Sequence, residues 1–215
     1  MPVFWLILLV LIIAAVGYVL GRRRALASAG SDQRVLHSLP SYYGWNVALT
    51  VMTPAFGLMF LWLLVQPVWI DGRIADQLPE SAIPEGTSQS LVMSDVRRVS
   101  NGLGLLVQQG FLSEDEVSDL IAGQSEIRKK LGDVGVALGS DVAPDVLVAA
   151  KQYRELANTG STAMSVVVLL VALGGFALAY LVTNKDFRAR NIVELGILLV
   201  LIGAASIAIL TTVGI

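Results

Sequence analysis

Four long apolar runs dominate the hydrophobic pattern of the chain. They cover residues 3–20, 45–70, 162–183 and 192–215. Each run has about the length that a helix needs to cross the hydrocarbon core of a bilayer, roughly 20 residues. A polar stretch, 71–161, separates the second run from the third. The pattern therefore predicts an all-α integral membrane protein with four transmembrane helices and a small helical extracytoplasmic domain between spans two and three.

The polar stretch contains three segments whose apolar residues have the spacing of an α-helix. The first covers about 94–109 and is followed by Gly110, a residue that commonly ends a helix. The second, 113–131, opens with a capping box that Glu116 completes. The third, 144–160, begins at a proline and ends at a glycine just before the third apolar run. Three short helices of this kind predict a hairpin or small bundle.

The segment that leads into this bundle, 71–89, has a different composition. It holds Pro79, Pro84 and Gly86 among scattered acids, and this mixture predicts an extended connector. The bundle contains few large apolar residues, so we expect it to be marginally stable by itself.

Composition agrees with a membrane protein. The 215 residues are 55% hydrophobic and 15% charged, whereas a soluble domain carries about 25% charged residues. The chain has no cysteine, which excludes disulfides, thiolate metal sites and thiol nucleophiles. His37 is the single histidine, so a site with several histidine ligands is excluded. Its imidazole is either a solvated side chain or a pH sensor.

Basic residues next to the apolar runs predict the topology, because cytoplasmic loops are enriched in lysine and arginine. Loop 21–44 has four arginines against one acid, and loop 184–191 has three basic residues against one acid. Both loops are therefore expected in the cytoplasm. The N-terminus and residues 71–161 are then periplasmic, in the inner membrane of a bacterium. The periplasmic stretch has 14 acidic and 8 basic residues.

The first run is expected to remain as an anchor. A signal peptide carries its positive charge before the apolar region, whereas Arg22, Arg23 and Arg24 follow it here. Gly17 and Gly21 form one G-x-x-x-G pattern at the end of this run. The pattern fits either helix packing within the chain or dimerisation.

Candidate chemistry is scarce. No nucleotide-binding P-loop, serine-hydrolase or zinc-protease motif occurs. Glu114, Asp115 and Glu116 fit either metal ligands or the charged first turn of a helix, and consecutive helical residues do not converge on one ion. We therefore assign no catalytic, cofactor-binding or metal residues and leave the ligand-binding residues open. No cofactor and no enzymatic activity are expected.

One residue in each of two apolar runs leads to a specific prediction. Pro54 lies inside the second run and removes one backbone hydrogen bond, so we expect a kink there, either tolerated or used as a gating hinge. Glu194 lies near the start of the fourth run. Intramembrane acids often mark transport paths, but Glu194 is within one turn of Arg190, which favours an ion pair.

Two segments carry a family resemblance: Leu39-Pro40-Ser41-Tyr42-Tyr43-Gly44, and the basic entry and apolar run of 188–215. With the order of spans, they resemble the N-terminal portion of a PstC-type permease of phosphate ABC transporters, in a long variant with an accessory N-terminal membrane region. In this resemblance 192–215 corresponds to the first core permease helix, truncated before the remaining core helices.

The resemblance implies an importer of inorganic phosphate and a set of partners. These are a second permease subunit, ATP-binding subunits that hydrolyse ATP, and a periplasmic phosphate-binding protein, besides the lipid bilayer. Nucleic acid is not expected. The chain would then be accessory to translocation and assembly. The alternatives are a membrane scaffold or assembly protein, and an extracytoplasmic sensor without catalytic activity. Short cytoplasmic loops leave little room for a sensor's output module.

Overall fold

The structure is a computed structural model. It describes residues 2–30, 32–79, 83, 86–120, 125–136, 142–184, 186–187, 189–190, 192–194, 196–198 and 201. Within these residues the chain is helical and contains no strand. The predicted fourth span, 192–215, lies mostly outside the described residues.

Within the described residues, six α-helices and one short 3₁₀ turn have defined bounds. The 3₁₀ turn, Gln33–Val35, lies between the first two helices. The α-helices are α1 Val3–Ser28, α2 Pro40–Ala75, α3 Gln89–Gln108, α4 Glu114–Asp119, α5 Ser125–Asp133 and α6 Pro144–Val182. Three of them, α1, α2 and α6, are long and apolar enough to cross a membrane. The chain divides into two compact units, residues 1–62 with 162–215, and residues 63–161.

The core of the first unit lies where α1, α2 and α6 pack together. Small and branched side chains fill it: Leu6, Val10 and Ala14 from α1, Ala48, Val51, Ala55 and Met59 from α2, and Met164, Val168 and Ala172 from α6. Each of the three helices also exposes large apolar side chains. Helices that are apolar on every face are typical of membrane spans, so this unit has the surface of a transmembrane bundle.

Glycines bring α1 and α2 close together. A Cβ atom on Gly21 would stand 2.6 Å from Val47 Cγ2, and one on Gly17 would stand 2.9 Å from Val47 Cγ1. On α2, a Cβ on Gly44 would meet the backbone oxygen of Tyr18 at 2.7 Å. A Cβ on Gly21 would also stand 3.0 Å from the backbone oxygen of Tyr43. The contact on α2 thus moves back toward Tyr43 as α1 advances from Gly17 to Gly21, so the two helices are antiparallel. The G-x-x-x-G pattern thus forms a packing face within this chain, the first of the two interpretations given above.

A second close approach joins α2 to α6 at a proline. Pro54 has no N–H, so the Thr50 carbonyl, four residues earlier, has no amide partner within the helix. A Cβ on Gly175 would stand 2.6 Å from this carbonyl oxygen. Only a glycine hydrogen fits there, and Cα–H groups make weak contacts with carbonyl oxygens at helix interfaces. α2 itself is continuous through Pro54, and the kink stays a prediction.

The second unit has its own core between the end of α2, α3, α4, α5 and the first half of α6. The largest fully buried side chains are Ile70, Ile74, Leu103, Leu106, Leu131 and Leu147. α3 ends as the sequence predicts: Gly110 has φ +77°, and the next amide, of Phe111, donates to Leu106 O at 2.9 Å. This is a Schellman motif, which satisfies carbonyls at the helix end.

Four boundary predictions were wrong. α3 begins at Gln89, five residues before its predicted start near 94. Residues 71–75 are not an extended connector, because α2 continues to Ala75 and buries Ile74 in the second core. The second predicted helix, 113–131, is two helices, because Leu120 leaves the helical conformation with ψ 129°. α6 does not end by Gly160 but continues to Val182. One glycine inside a helix costs only about 1 kcal/mol relative to alanine, which packing can offset.

We expect Gly175→Ala to destabilise the first unit, because its methyl group would overlap the Thr50 carbonyl oxygen. Overpacking of this kind costs about 1–3 kcal/mol. Gly174→Ala is the matched control, since a Cβ at Gly174 meets nothing within 4 Å. Thermal unfolding of both variants in one detergent measures the difference. Equal midpoints for the two variants would mean that α2 and α6 do not approach closely at Thr50.

Candidate functional site

The arginine run at the end of α1 holds one residue that bonds to another helix. The Arg24 Nε group donates to Thr183 O at 3.1 Å, and its guanidinium lies 4.4 Å from the centre of the Tyr180 ring. Thr183 directly follows α6, so the cation lies at the negative end of that helix dipole. Arg24 therefore ties the end of α1 to the end of α6. Arg22 and Arg23 are exposed.

The acidic turn of α4 is a helix start. The Glu116 side chain accepts from Ser113 N at 2.7 Å, and Glu116 N donates to Ser113 Oγ at 3.2 Å. The predicted capping box is thereby confirmed. The hydrogen bonds from Ser113 hold the pKa of the Glu116 carboxyl below its ordinary value.

Glu114 in the same turn makes an ion pair that the sequence pattern did not reveal. Both nitrogens of the Arg154 fork donate to its two carboxylate oxygens, at 2.5 and 2.7 Å. This bidentate geometry is the strong form of a charged hydrogen bond. The Arg154 hydrogen bonds lower the pKa of the Glu114 carboxyl. Throughout the described part of the chain, no three His, Cys, Asp or Glu side chains are grouped so as to hold a metal ion.

Two further contacts connect the helices of the second unit. Arg97 of α3 donates to Asp71 Oδ2 of α2 at 3.0 Å. Lys151 of α6 donates to the carbonyls of Ser118 and Leu120, each at 2.7 Å. These carbonyls lie at the end of α4, so the ammonium group satisfies acceptors that the helix leaves open. These two bonds stabilise the end of α4 at a position that the sequence placed within a longer helix.

The structure places three other residues from the sequence analysis. Arg190 Nε donates to Glu194 Oε1 at 2.8 Å, so the predicted ion pair is confirmed. Both side chains are more than half exposed. His37 is exposed in the segment before α2, and both interpretations of its imidazole, a solvated side chain or a pH sensor, stay open.

The sequence contains a partial indication of several residues that hold the helices in place. A proline at 54 identifies the Thr50 carbonyl as the one that lacks an amide. The Gly174-Gly175 pair indicates a close helix contact but not which glycine makes it. Arg154 and Lys151 had no such signal, because their partners are 31 to 40 residues away along the chain. The arrangement as a whole positions helices and joins their ends.

Comparison with known protein families adds the functional information that these contacts lack. One family profile matches residues 7–177, and the family is described as a phosphate ATP-binding cassette transporter. The chain belongs to this phosphate ABC transporter family. Searches of curated proteins and of solved structures gave no significant match.

The phosphate ABC transporter match extends from α1 into α6, and it includes the whole of residues 63–161. Of the two segments that carried the family resemblance, 39–44 lies inside the matched region and 188–215 lies outside it. With three helices suited to cross a bilayer, the chain is a multi-pass membrane protein related to phosphate transport.

Glu114→Gln is expected to lower the free energy of unfolding by about 0.2–1 kcal/mol at pH 7, the range for exposed pairs. Glu114 is 62% exposed, so solvent screens the pair. Its folded-state pKa lies below the ordinary 4.5. The stabilisation is therefore complete above pH 4.5 and is lost as the pH falls through the folded-state pKa. Urea unfolding of the full chain in detergent, over a series of pH values from 7 to below 4.5, measures this loss.

Glu155→Gln serves as the control for this variant, because it removes the same charge from an exposed position one residue after Arg154. The Glu114 effect should exceed the Glu155 effect at pH 7 and should shrink as the pH falls below 4.5. A difference that did not shrink with falling pH would contradict a role for the ionised Glu114–Arg154 pair.

Proposed function

We propose that this chain is the N-terminal region of the PstC-type permease subunit of an inorganic phosphate importer. The observation that carries the proposal is the family match across residues 7–177. The sequence segment Leu39-Pro40-Ser41-Tyr42-Tyr43-Gly44 supports the PstC type. ATP hydrolysis belongs to partner subunits in this proposal, which agrees with the absence of a P-loop motif from the sequence.

The proposed topology has four spans in the bacterial inner membrane. Helices α1, α2 and α6 supply three spans, and 192–215 supplies the fourth. The charge balance supports this orientation: loops 21–44 and 184–191 are basic, whereas 71–161 has six more acids than bases, 14 against 8. The N-terminus and residues 71–161, which make up most of the second unit, are then periplasmic.

The second unit is proposed to act in docking the periplasmic phosphate-binding protein or in assembling the permease pair. Its position on the periplasmic side would place it where a soluble binding protein approaches. Its helices are joined by surface ion pairs at Asp71–Arg97 and Glu114–Arg154. Such pairs contribute little to stability individually, so this unit is suited to adjust when a partner binds.

The transport proposal is tested in cells whose other phosphate importers have been deleted. Removal of the gene that encodes this chain is expected to abolish energy-dependent uptake of radiolabelled phosphate, because the permease would be incomplete. Uptake of radiolabelled sulfate is the control and should not change. Unchanged phosphate uptake would overturn the proposal.

The role of the second unit is tested with a separate variant, which is made in the natural protein. Residues 88–136, which contain α3, α4 and α5, are replaced by a flexible glycine-serine linker. We expect reduced phosphate uptake at an unchanged membrane level of the protein, and weaker binding of the phosphate-binding protein. Normal uptake and normal binding would contradict the docking role but leave the transport proposal intact.

A further inference from the structure

An open apolar groove runs along the surface of the first unit between α1 and α2. Its volume is about 410 Å³. The side chains that line it are almost all apolar: Leu11, Ala14, Ala15, Tyr18, Val19, Trp45, Ala48 and Met52. The buried Ala14 and Ala48 form its floor, whereas Leu11, Val19 and Trp45 remain 44–48% exposed at its rim. This shape suits a long flexible apolar chain.

The groove ends at an aromatic pair. The Tyr18 and Trp45 rings meet edge to face, with centroids 5.5 Å apart. Tyrosine and tryptophan favour the level of the lipid headgroups, where one side of the ring is apolar and the other is wet. The pair therefore marks the level at which an apolar chain in the groove would meet a polar headgroup.

A cation lies one turn beyond this pair on the same face of α1. Residues spaced by four, three and four positions share one face of an α-helix. Starting from Leu11, that spacing gives Ala15, Tyr18 and then Arg22. Arg22 is exposed. Arg23 is turned away by about 100°, and Arg24 is bound to Thr183 of α6.

The opposite wall repeats this arrangement. The same spacing on α2, taken from its second residue, Ser41, gives Trp45, Ala48 and Met52. The Ser41 hydroxyl is thus placed on the groove face of α2, at the same end as Arg22. The groove therefore has an apolar body and a polar mouth with one positive charge.

The distance from the far end of the groove to Arg22 matches one leaflet. Leu11 and Arg22 are eleven residues apart, which corresponds to about 16 Å along a helix. Half of a bilayer core is about 15 Å thick. A lipid whose headgroup contacts Arg22 would thus lay its acyl chain along the groove to about the bilayer midplane.

We propose that this groove is a binding site for an anionic phospholipid, with an acyl chain against Ala15 and Ala48 and the phosphate on Arg22. Charge complementarity selects the anionic headgroup, because each basic residue at the surface contributes about fivefold to the binding of anionic lipid. The site is independent of the solute that the transporter moves.

Quenching of Trp45 fluorescence tests this site in the full chain reconstituted into vesicles. Trp5, Trp62 and Trp69 are first replaced by phenylalanine, so that Trp45 reports alone. The vesicles contain equal amounts of phosphatidylglycerol and phosphatidylcholine, and the acyl chains of one or the other lipid are brominated. Bilayer composition thus stays constant, and the ratio of the two quenching efficiencies reports which lipid occupies the groove.

We expect brominated phosphatidylglycerol to occupy the site about fivefold more than phosphatidylcholine. Arg22→Gln should bring this ratio close to one. Arg23→Gln is the matched control, because it removes the same charge one residue away, and it should retain the preference. Ala15→Leu fills the groove without changing any charge and should also abolish the preference. Circular dichroism and thermal midpoints check that each variant is folded.

Three outcomes would overturn the proposal. Equal quenching by both lipids in the starting protein would mean that only ordinary boundary lipid contacts Trp45. An absence of quenching by either lipid would mean that protein fills the groove, from a second copy of the chain or a partner helix. If Arg22→Gln and Arg23→Gln reduced the preference for phosphatidylglycerol equally, general surface charge, rather than this face of α1, would attract the lipid.

Discussion

The approach of α6 to the Thr50 carbonyl is the contact on which the helix bundle most depends. Inside a bilayer no water is present to satisfy a backbone group, so an open carbonyl must find a partner within the protein. Pro54 opens this carbonyl, and Gly175 is the residue that lets another helix cover it. Ala48 of α2 and Ala172 of α6 lie in the core that α1, α2 and α6 share, and these small side chains let the three helices pack closely.

Much of the helical architecture could be predicted from the sequence, because its signals are local. The Ser113 capping box and the Gly110 helix end each depend on residues within one or two turns. Boundaries that depend on packing could not be predicted in this way. The helical state of 71–75 depends on burial of Ile74 in a core formed by distant helices, and the end of α4 is stabilised by Lys151, more than 30 residues later.

The candidate functional residues were less predictable for the same reason. Charge counting treats Arg22, Arg23 and Arg24 as equivalent, because only their number enters the topology rule. In the structure their positions on the helix separate them: Arg24 is bonded to α6, whereas the other two are exposed. The assignment of phosphate as the solute depends on family membership alone, because the described side chains are engaged mainly in joining helices.

The arginine run also has no freedom to shift along α1. Gly21 and Ala25, the residues that flank it, are both buried one helical turn apart, beside Val47 and Tyr43 respectively. Inserting one residue before Arg22 would keep every charge in the loop but put an arginine at buried position 25. Deleting one would put an arginine at position 21, where even a methyl group has no space. This part of the chain should therefore accept substitutions more readily than insertions or deletions, although its composition resembles that of an ordinary basic loop.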